Sequence, residues 1–351
     1  MTTFLQLHLL TSYPPACLNR DDLNRPKTGV MGGVPRIRIS SQSLKRAWRT
    51  SEVFKSALSN HIGTRTRRMG IEIYDKLIKS GMEDENAKNW AKAIAKQFGA
   101  LDTGTQDEPL NDCAIKQLAH FSPEEKSDID SLTDKLVRER REPTSEELKL
   151  LRKKHKAVDI ALFGRMLADA PFYDKESACE VGHAFTVHKV AVEDDYFTAV
   201  DDLNTRGAAH IGEQGFAAGL FYLYACINRD LLIENLDGDT DLADNTIKAL
   251  VEAAATVAPT GKQKSFASRA WASYILAEKG TRQPRSLSVA FLKPVKSDDM
   301  LQEAIQKLEE TRTNFDTVYY GHEKKISLPS ESLNALEGTG TLNVLLTFLI
   351  S

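Results

Sequence analysis

The chain has 351 residues, 41% apolar and 27% charged, enough to bury a core and stay in solution, and its length favours two lobes or one core with large insertions. A net charge of −3 would by itself argue against a polyanionic partner. Residues 1–70, however, carry 12 Lys/Arg against 3 Asp/Glu, leaving 34 against 46 for the remainder, and binding follows local potential over a Debye length of about 8 Å, not the sum. Four scattered cysteines (Cys17, Cys113, Cys179, Cys226) form no CxxC pair or metal-like spacing and read as reduced thiols of a cytoplasmic protein. Phe4–Leu10 is too short for a signal-peptide core and Leu342–Ile350 too short to cross a bilayer, so no membrane partner is expected.

Phe4–Leu10 reads as a buried strand stopped by Pro14-Pro15, with His8 a satisfied core or edge histidine. From Cys17 to Arg49 eight cations (Arg20, Arg25, Lys27, Arg36, Arg38, Lys45, Arg46, Arg49) face only Asp21 and Asp22. A structural ion-pair cluster would need matching carboxylates nearby, so this is the layout of a polyanion cradle. Gly29, Gly32 and Gly33 read as turns. Pro35–Ile39 alternates as a half-buried strand, predicting Arg36 and Arg38 on one face and Ile37 and Ile39 in the core. Ser40 or Ser41 can cap a helix from Gln42 onward, on which Gln42, Lys45 and Arg49 share one face while Leu44, Ala47 and Trp48 lie mainly on another. The continuity of loop, strand and helix favours anion binding over a merely solvated face.

Residues 56–156 read as almost wholly helical, with helices expected over Gly70–Leu77, Glu83–Phe98, Asn111–Phe121, Pro123–Arg141 and Thr144–Lys156. Within 101–150 there are 13 acids and 7 bases, as in a surface insertion. Val158–Met166 and Val181–Val192 read as strands. Between Glu193 and Gly219 runs a long glycine-bearing excursion, expected to be an irregular projecting arm or lid, after which Leu220–Ile227 returns as a strand. Helices are expected over Leu242–Val257 and Asp298–Thr313, a second basic cluster at Lys262-Gln263-Lys264, and a strand over Ser286–Leu292. The whole reads as α+β, one body with appendages.

A catalytic reading finds little support. His183, His188 and His210 with Asp194, Asp195, Asp201 and Asp202 show no HxH, HExxH or HxxxD pattern, and His183 and His188, five apart on a strand, would point to opposite faces. No GxSxG, Walker or GxGxxG pattern occurs. Asp21-Asp22 could hold Mg²⁺ for phosphodiester cleavage, or cap the loop and pair with Arg20 or Arg25. The sequence therefore predicts a binder, not an enzyme, with no cofactor or metal, and a metal-dependent ribonuclease as the alternative.

The motifs CLNRDDLN, RIRISSQSLKRA, VDIALFGRM, FTAVDDL with GAAHIGEQGF about ten residues on, and GKQKSF, in order over most of the chain, resemble the CasC-type backbone subunit of the type I-E CRISPR surveillance complex, Cascade, of the RAMP superfamily. The resemblance implies a ferredoxin-like, RNA-recognition-motif-like palm (1–55, 157–192 and 220–351), a helical fingers insertion (56–156) and a thumb (193–219). It implies copies stacked head-to-tail along CRISPR RNA, beside other Cascade subunits, holding and kinking the guide for pairing with target DNA. By motif, Arg20, Lys27, Ser40, Gln42, Lys45 and Arg49 are the expected guide contacts, with Arg36, Arg38 and Arg46 on the same basic wall. Met166 and Phe197, the latter beside Thr198, are expected to wedge against bases, with Arg165 and Lys262 as further contacts.

Overall fold

A computed structural model describes residues 1–105, 108–203, 208–321 and 327–351. The chain divides into two units, one of Met1–Ala57, Cys179–Arg229 and Asp244–Ser351, the other of Leu58–Ala178 and Asp230–Ala243.

The first unit is built on an antiparallel sheet. It opens with β1 (Phe4–Ala16), β2 (Thr28–Met31), β3 (Val34–Ile39), α1 (Ser41–Arg49) and α2 (Glu52–Leu58). β1 runs past Pro14-Pro15, which mark a register shift between Tyr13 and Ala16, where missing amide donors do least harm. The second unit holds β4 (Thr64–Thr66), α3 (Met69–Lys79), α4 (Asp84–Ala95), β5 (Ala119–Phe121), α5 (Pro123–Glu139) and α6 (Val158–Phe163). The chain then continues through β6 (Cys179–Val181), β7 (Ala184–Thr186), β8 (Glu193–Val200), β9 (Ala208–Asn228), α7 (Arg229–Asn235), α8 (Thr240–Thr256), α9 (Gln263–Phe266), β10 (Tyr274–Gly280), α10 (Met300–Tyr320), β11 (Ser330–Asn334) and α11 (Leu342–Ile350). The sheet order is β11-β10-β1-β9-β7-β3-β2, with β6 and β8 also pairing β9. β1 is therefore central, as its apolar run requires. His8 within it is fully buried, with Tyr222 Oη 2.9 Å from Nδ1 and Glu278 Oε2 3.2 Å from Nε2, a satisfied core histidine. Over one face of the sheet pack Leu10, Tyr222, Leu276, Phe291 and, from α10, Ala304 and Leu308.

The second unit has its own core, in which Met69, Leu77, Trp90, Ile94, Phe98, Phe121, Ile129 and Leu136 interlock. α5 starts on a capping box, Ser122 Oγ accepting from Glu125 N and Glu125 Oε2 from Ser122 N, and ends on Arg140 in the left-handed region.

Several expected elements take other forms. Val158–Met166 is not a strand. Its buried run VDIAL forms α6, and an element covered on all sides has no period to separate helix from strand. Asn111–Phe121 is a 3₁₀ turn (Pro109–Cys113) followed by β5, and Thr144–Lys156 is a set of turns around Glu147, whose carboxylate takes Thr144 N, Thr144 Oγ1 and Arg141. Val181–Val192 breaks at Gly182 into two short strands, and Ser286–Leu292 is a 3₁₀ turn (Ser288–Phe291) whose carbonyl at Phe291 serves Arg36. The excursion after Glu193 is not irregular. β8 and the first part of β9 form a ribbon in register from Glu193↔Phe216 to Ala199↔His210, hidden from pattern reading because every β8 residue is exposed. Gly207 lies outside the described residues. Among the described residues no helix is long and apolar enough to cross a membrane.

Candidate nucleic-acid interface

The basic loop 17–27 is held in shape by its own acid. Asp21 Oδ1 accepts from Leu23 N (3.0 Å) and Arg25 N (2.9 Å), and Asp21 O from Asn24 N, with Asn24 in the left-handed region that asparagine tolerates. Lys27 N donates to Asn19 O (2.9 Å), and Asn19 Oδ1 accepts from Ser40 N (2.9 Å), which ties the loop to the start of α1. Arg20 is exposed and its guanidinium reaches Asn24 Oδ1 at 3.3 Å. Asp21 is thus occupied as a loop brace, and among the described residues no group of three or more His, Cys, Asp or Glu could hold a metal ion.

Helix α1 begins one residue earlier than expected, at Ser41, because Ser40 is its cap, accepting from Ser43 N (3.4 Å). Leu44, Ala47 and Trp48 are buried, which turns Gln42, Lys45, Arg46 and Arg49 outward at full or half exposure, with Arg46 and Arg49 in the last turn where the helix dipole favours cations. Arg38, half-buried on β3, donates to Thr28 O (3.1 Å) and approaches His183 Nδ1 (3.5 Å), so β3, one strand in from the edge, ends in a cation beside the same loop.

Two later segments close on this loop. Arg25 pairs with Asp194 at 2.9 Å, and a Cβ at Gly215 would already touch Pro26 and Val192, so the ribbon's base lies against the loop. Lys262 Nζ donates to Gln214 Oε1 (2.5 Å), and Gly261 lies so close to the loop that a Cβ there would sit 2.2 Å from Leu18 O. Burial pushes the Cys17 thiol up, while the neighbouring charges of Lys262 and Arg20 pull it down. Loop, α1, β3 end and Lys262 are therefore one assembled basic surface. Asn19, Gln214 and Gly261 were not singled out in the sequence, and Asp194 was weighed there only as a metal or nuclease residue. Only the hairpin register Asp194↔Gly215, once known, puts Asp194 and Gln214 beside the basic loop and its lysine.

Phe197, 41% exposed, lies across the ribbon on Gly212, where a Cβ would come within 2.6 Å of its ring, and 6.0 Å from the His210 ring. Thr198 stands beside it, exposed and paired with Ile211. Met166, in the second unit, is 78% exposed and edges a cavity of about 240 Å³ with Phe98 and Leu118.

Two expected contacts are internal. Arg36, at 1% exposure, donates to Met31 O, Thr186 O and Phe291 O, so it braces carbonyls instead of facing outward with Arg38. The alternation fails because both faces of β3 are covered at that point. Arg165 is also buried, in an ion pair with Glu125 (2.7 Å) and hydrogen bonds to the carbonyls of His120, Arg152 and Tyr173, each 3.2 Å. Both guanidinium groups are held by internal partners.

An antiparallel sheet with a basic loop tied to a capped helix and to Lys262 places the chain in the mixed α+β class. The chain belongs to the CT1975-like protein family, whose profile matches residues 5–344. Comparison with curated proteins gives no match. Among solved structures, the chain is similar over 99% of both lengths to a chain of a CRISPR RNA-guided surveillance complex described as pre-nicking, with 27% identity and a TM-score of 0.84. A chain of a second CRISPR RNA-guided surveillance complex, at 23% identity and a TM-score of 0.74, also over 99% of both, shares the fold.

Proposed function

We propose that this protein is a non-catalytic subunit of a CRISPR RNA-guided surveillance complex of the type I-E CasC kind, which coats guide RNA and presents it for pairing with target DNA. The observation that carries the reading is the assembled basic surface: a loop locked through Asn19 to the cap of α1, with Arg20, Lys27, Arg38, Gln42, Lys45, Arg46, Arg49 and Lys262 around it. A fixed surface of cations and backbone donors holds a phosphodiester chain of any sequence, leaving sequence to base pairing. On this reading the sheet is the ferredoxin-like palm, the second unit the fingers and the ribbon the thumb. Phe197 and Met166 are wedges against bases, copies stack head-to-tail beside other subunits, and the assembly works in the cytoplasm. The likeness to chains of such complexes supports it.

The test is fluorescence anisotropy with single-stranded RNA across a salt series. Lys45→Ala with Arg49→Ala should reduce the log–log salt slope by roughly 1.4, at about 0.7 per phosphate contact for single strands. An unchanged slope would remove α1 from the groove. Incubation with RNA and Mg²⁺ should leave the RNA intact, and cleavage that EDTA and Asp21→Ala both abolish would establish a metal-dependent ribonuclease in its place.

A further inference from the structure

The second unit carries a basic feature of its own, built from arginine. Arg65, Arg67 and Arg68, on and just after β4, line an open cleft of about 400 Å³ with Glu108, Asn111 and Leu118. Arg67 is occupied internally, since it donates through Nε to Ile115 O (3.0 Å) and through a terminal nitrogen to Asp102 Oδ2 (2.5 Å). Glu108, the one acid of the lining, accepts from Asn111 Nδ2. Arg68 N donates to Thr66 Oγ1 (2.9 Å), a turn that ends the strand. Arg65 and Arg68 are exposed and make no ion pair among the described residues, and Leu118 beside them is 54% exposed. The free surface of the cleft is thus two guanidinium forks and one apolar side chain.

The first unit carries the converse set on its ribbon. Asp201, Asp202 and Leu203 follow β8 directly and are all exposed, Leu203 at 96%. Asp201 Oδ1 accepts from Leu203 N (2.9 Å), which fixes the turn that presents them, and the Asp202 carboxylate has no partner among the described residues. We infer that the arginine cleft receives this ribbon segment from a second copy of the chain, with the Asp201 and Asp202 carboxylates on Arg65 and Arg68 and Leu203 against Leu118. The planar arginine fork matches carboxylate oxygens two at a time. Three arginines against Asp102 and Glu108 leave a surplus of one positive charge, which suits a short acidic segment and not a run of phosphates. Arg65 and Arg68 stand three residues apart, at most about 10 Å at roughly 3.3 Å per residue, a span that their long side chains close onto neighbouring carboxylates. Because cleft and segment are different parts of the chain, the contact is heterologous: each copy offers one of each, and copies extend in a row without closing in pairs. The inference rests on the stacking of copies in the nucleic-acid reading above, and it assigns to that contact a surface which that reading does not contain.

The experiment uses the full chain in two charge-reversed forms, Arg65→Glu with Arg68→Glu and Asp201→Lys with Asp202→Lys, exposed positions whose replacement should leave far-UV circular dichroism unchanged. Cooperativity is read from anisotropy isotherms on long polyuridylate, and the salt slope from a short uridylate oligomer. Each form alone should lose about tenfold in cooperativity, at roughly threefold for each exposed ion pair, and keep the parental slope on the short oligomer. The two forms mixed in equal amounts should regain parental cooperativity, because the acidic ribbon of the first meets the basic cleft of the second, and the lysine-bearing ribbon of the second meets the glutamate-bearing cleft of the first. Parental cooperativity in either form alone, or no recovery on mixing, overturns the inference. A slope on the short oligomer that falls with Arg65→Glu and Arg68→Glu assigns the cleft to nucleic acid and overturns it equally. Should Lys45→Ala with Arg49→Ala lower that slope while both charge-reversed forms keep parental cooperativity, only this inference falls.

Discussion

At the scale of single residues, the same side chain does opposite work according to what surrounds it. Arg165 reads as a ligand contact in a basic motif, yet it neutralises the equally buried Glu125. Arg165→Met would leave that carboxylate unpaired, and urea unfolding should show a loss of about 3–5 kcal/mol, with RNA affinity of the folded fraction unchanged. His155 makes a second prediction. Burial, helped by the charges of Arg165 and Lys175, lowers it to about 4, and Nε2 has no hydrogen-bond partner among the described residues. The folded chain thus keeps it neutral while the unfolded chain protonates it near 6.5. Stability is complete above about pH 6.5 and should fall by about 3 kcal/mol on the way to about pH 4, with fully buried His8 acting in the same direction. His155→Leu should flatten that slope in unfolding measured at stepped pH, and a slope unchanged from the parent would refute the assignment. Neither role was legible in the sequence, because burial and partners as far as 45 residues away decide both.

Among elements, α1 and its loop were almost fully legible. Their cations, cap and apolar face lie within 33 consecutive residues, and short-range rules govern all three. α6 and the ribbon were not. A helix buried on every side loses its period, and a strand exposed along its whole length, as β8 is, never shows one. What brings Lys262 to the loop is equally invisible locally: Gly261 tolerates a backbone approach that no other residue would. Gly261→Ala should push the 258–266 segment off Leu18 and weaken RNA binding roughly tenfold, about 1.4 kcal/mol, measured by anisotropy at fixed salt. Unchanged affinity would show that Lys262 lies outside the surface that binds.

For the whole molecule, the basic bias of residues 17–49 was readable from composition and persists in the fold, since its cations other than the buried Arg36 lie exposed or half-exposed on the loop, β3 and α1. The ribbon adds an exposed apolar set, Tyr196, Phe197, Val200, Leu203 and Ile211, of a kind that marks an interaction site. Tyr196→Ala with Phe197→Ala should therefore leave affinity for a short RNA near the parental value and reduce cooperativity on long RNA, read as a shallower binding isotherm and less regular filaments in electron micrographs. Parental cooperativity would separate the ribbon from contacts between copies.

The 21 residues of β9 form one uninterrupted strand, about 70 Å at roughly 3.3 Å per residue. From Ala217 to Asn228 it is clamped by β1 on one side and by β6 and β7 on the other, while from Ala208 to Phe216 it has β8 alone. Such a member behaves as a cantilever: its root is anchored in the centre of the sheet, and a load at the free end bends the ribbon without a hinge to absorb it. Amide hydrogens should then exchange along a gradient, slowest near Tyr222 and fastest toward Ala208, and a weight placed on the tip would be felt as torque at β1.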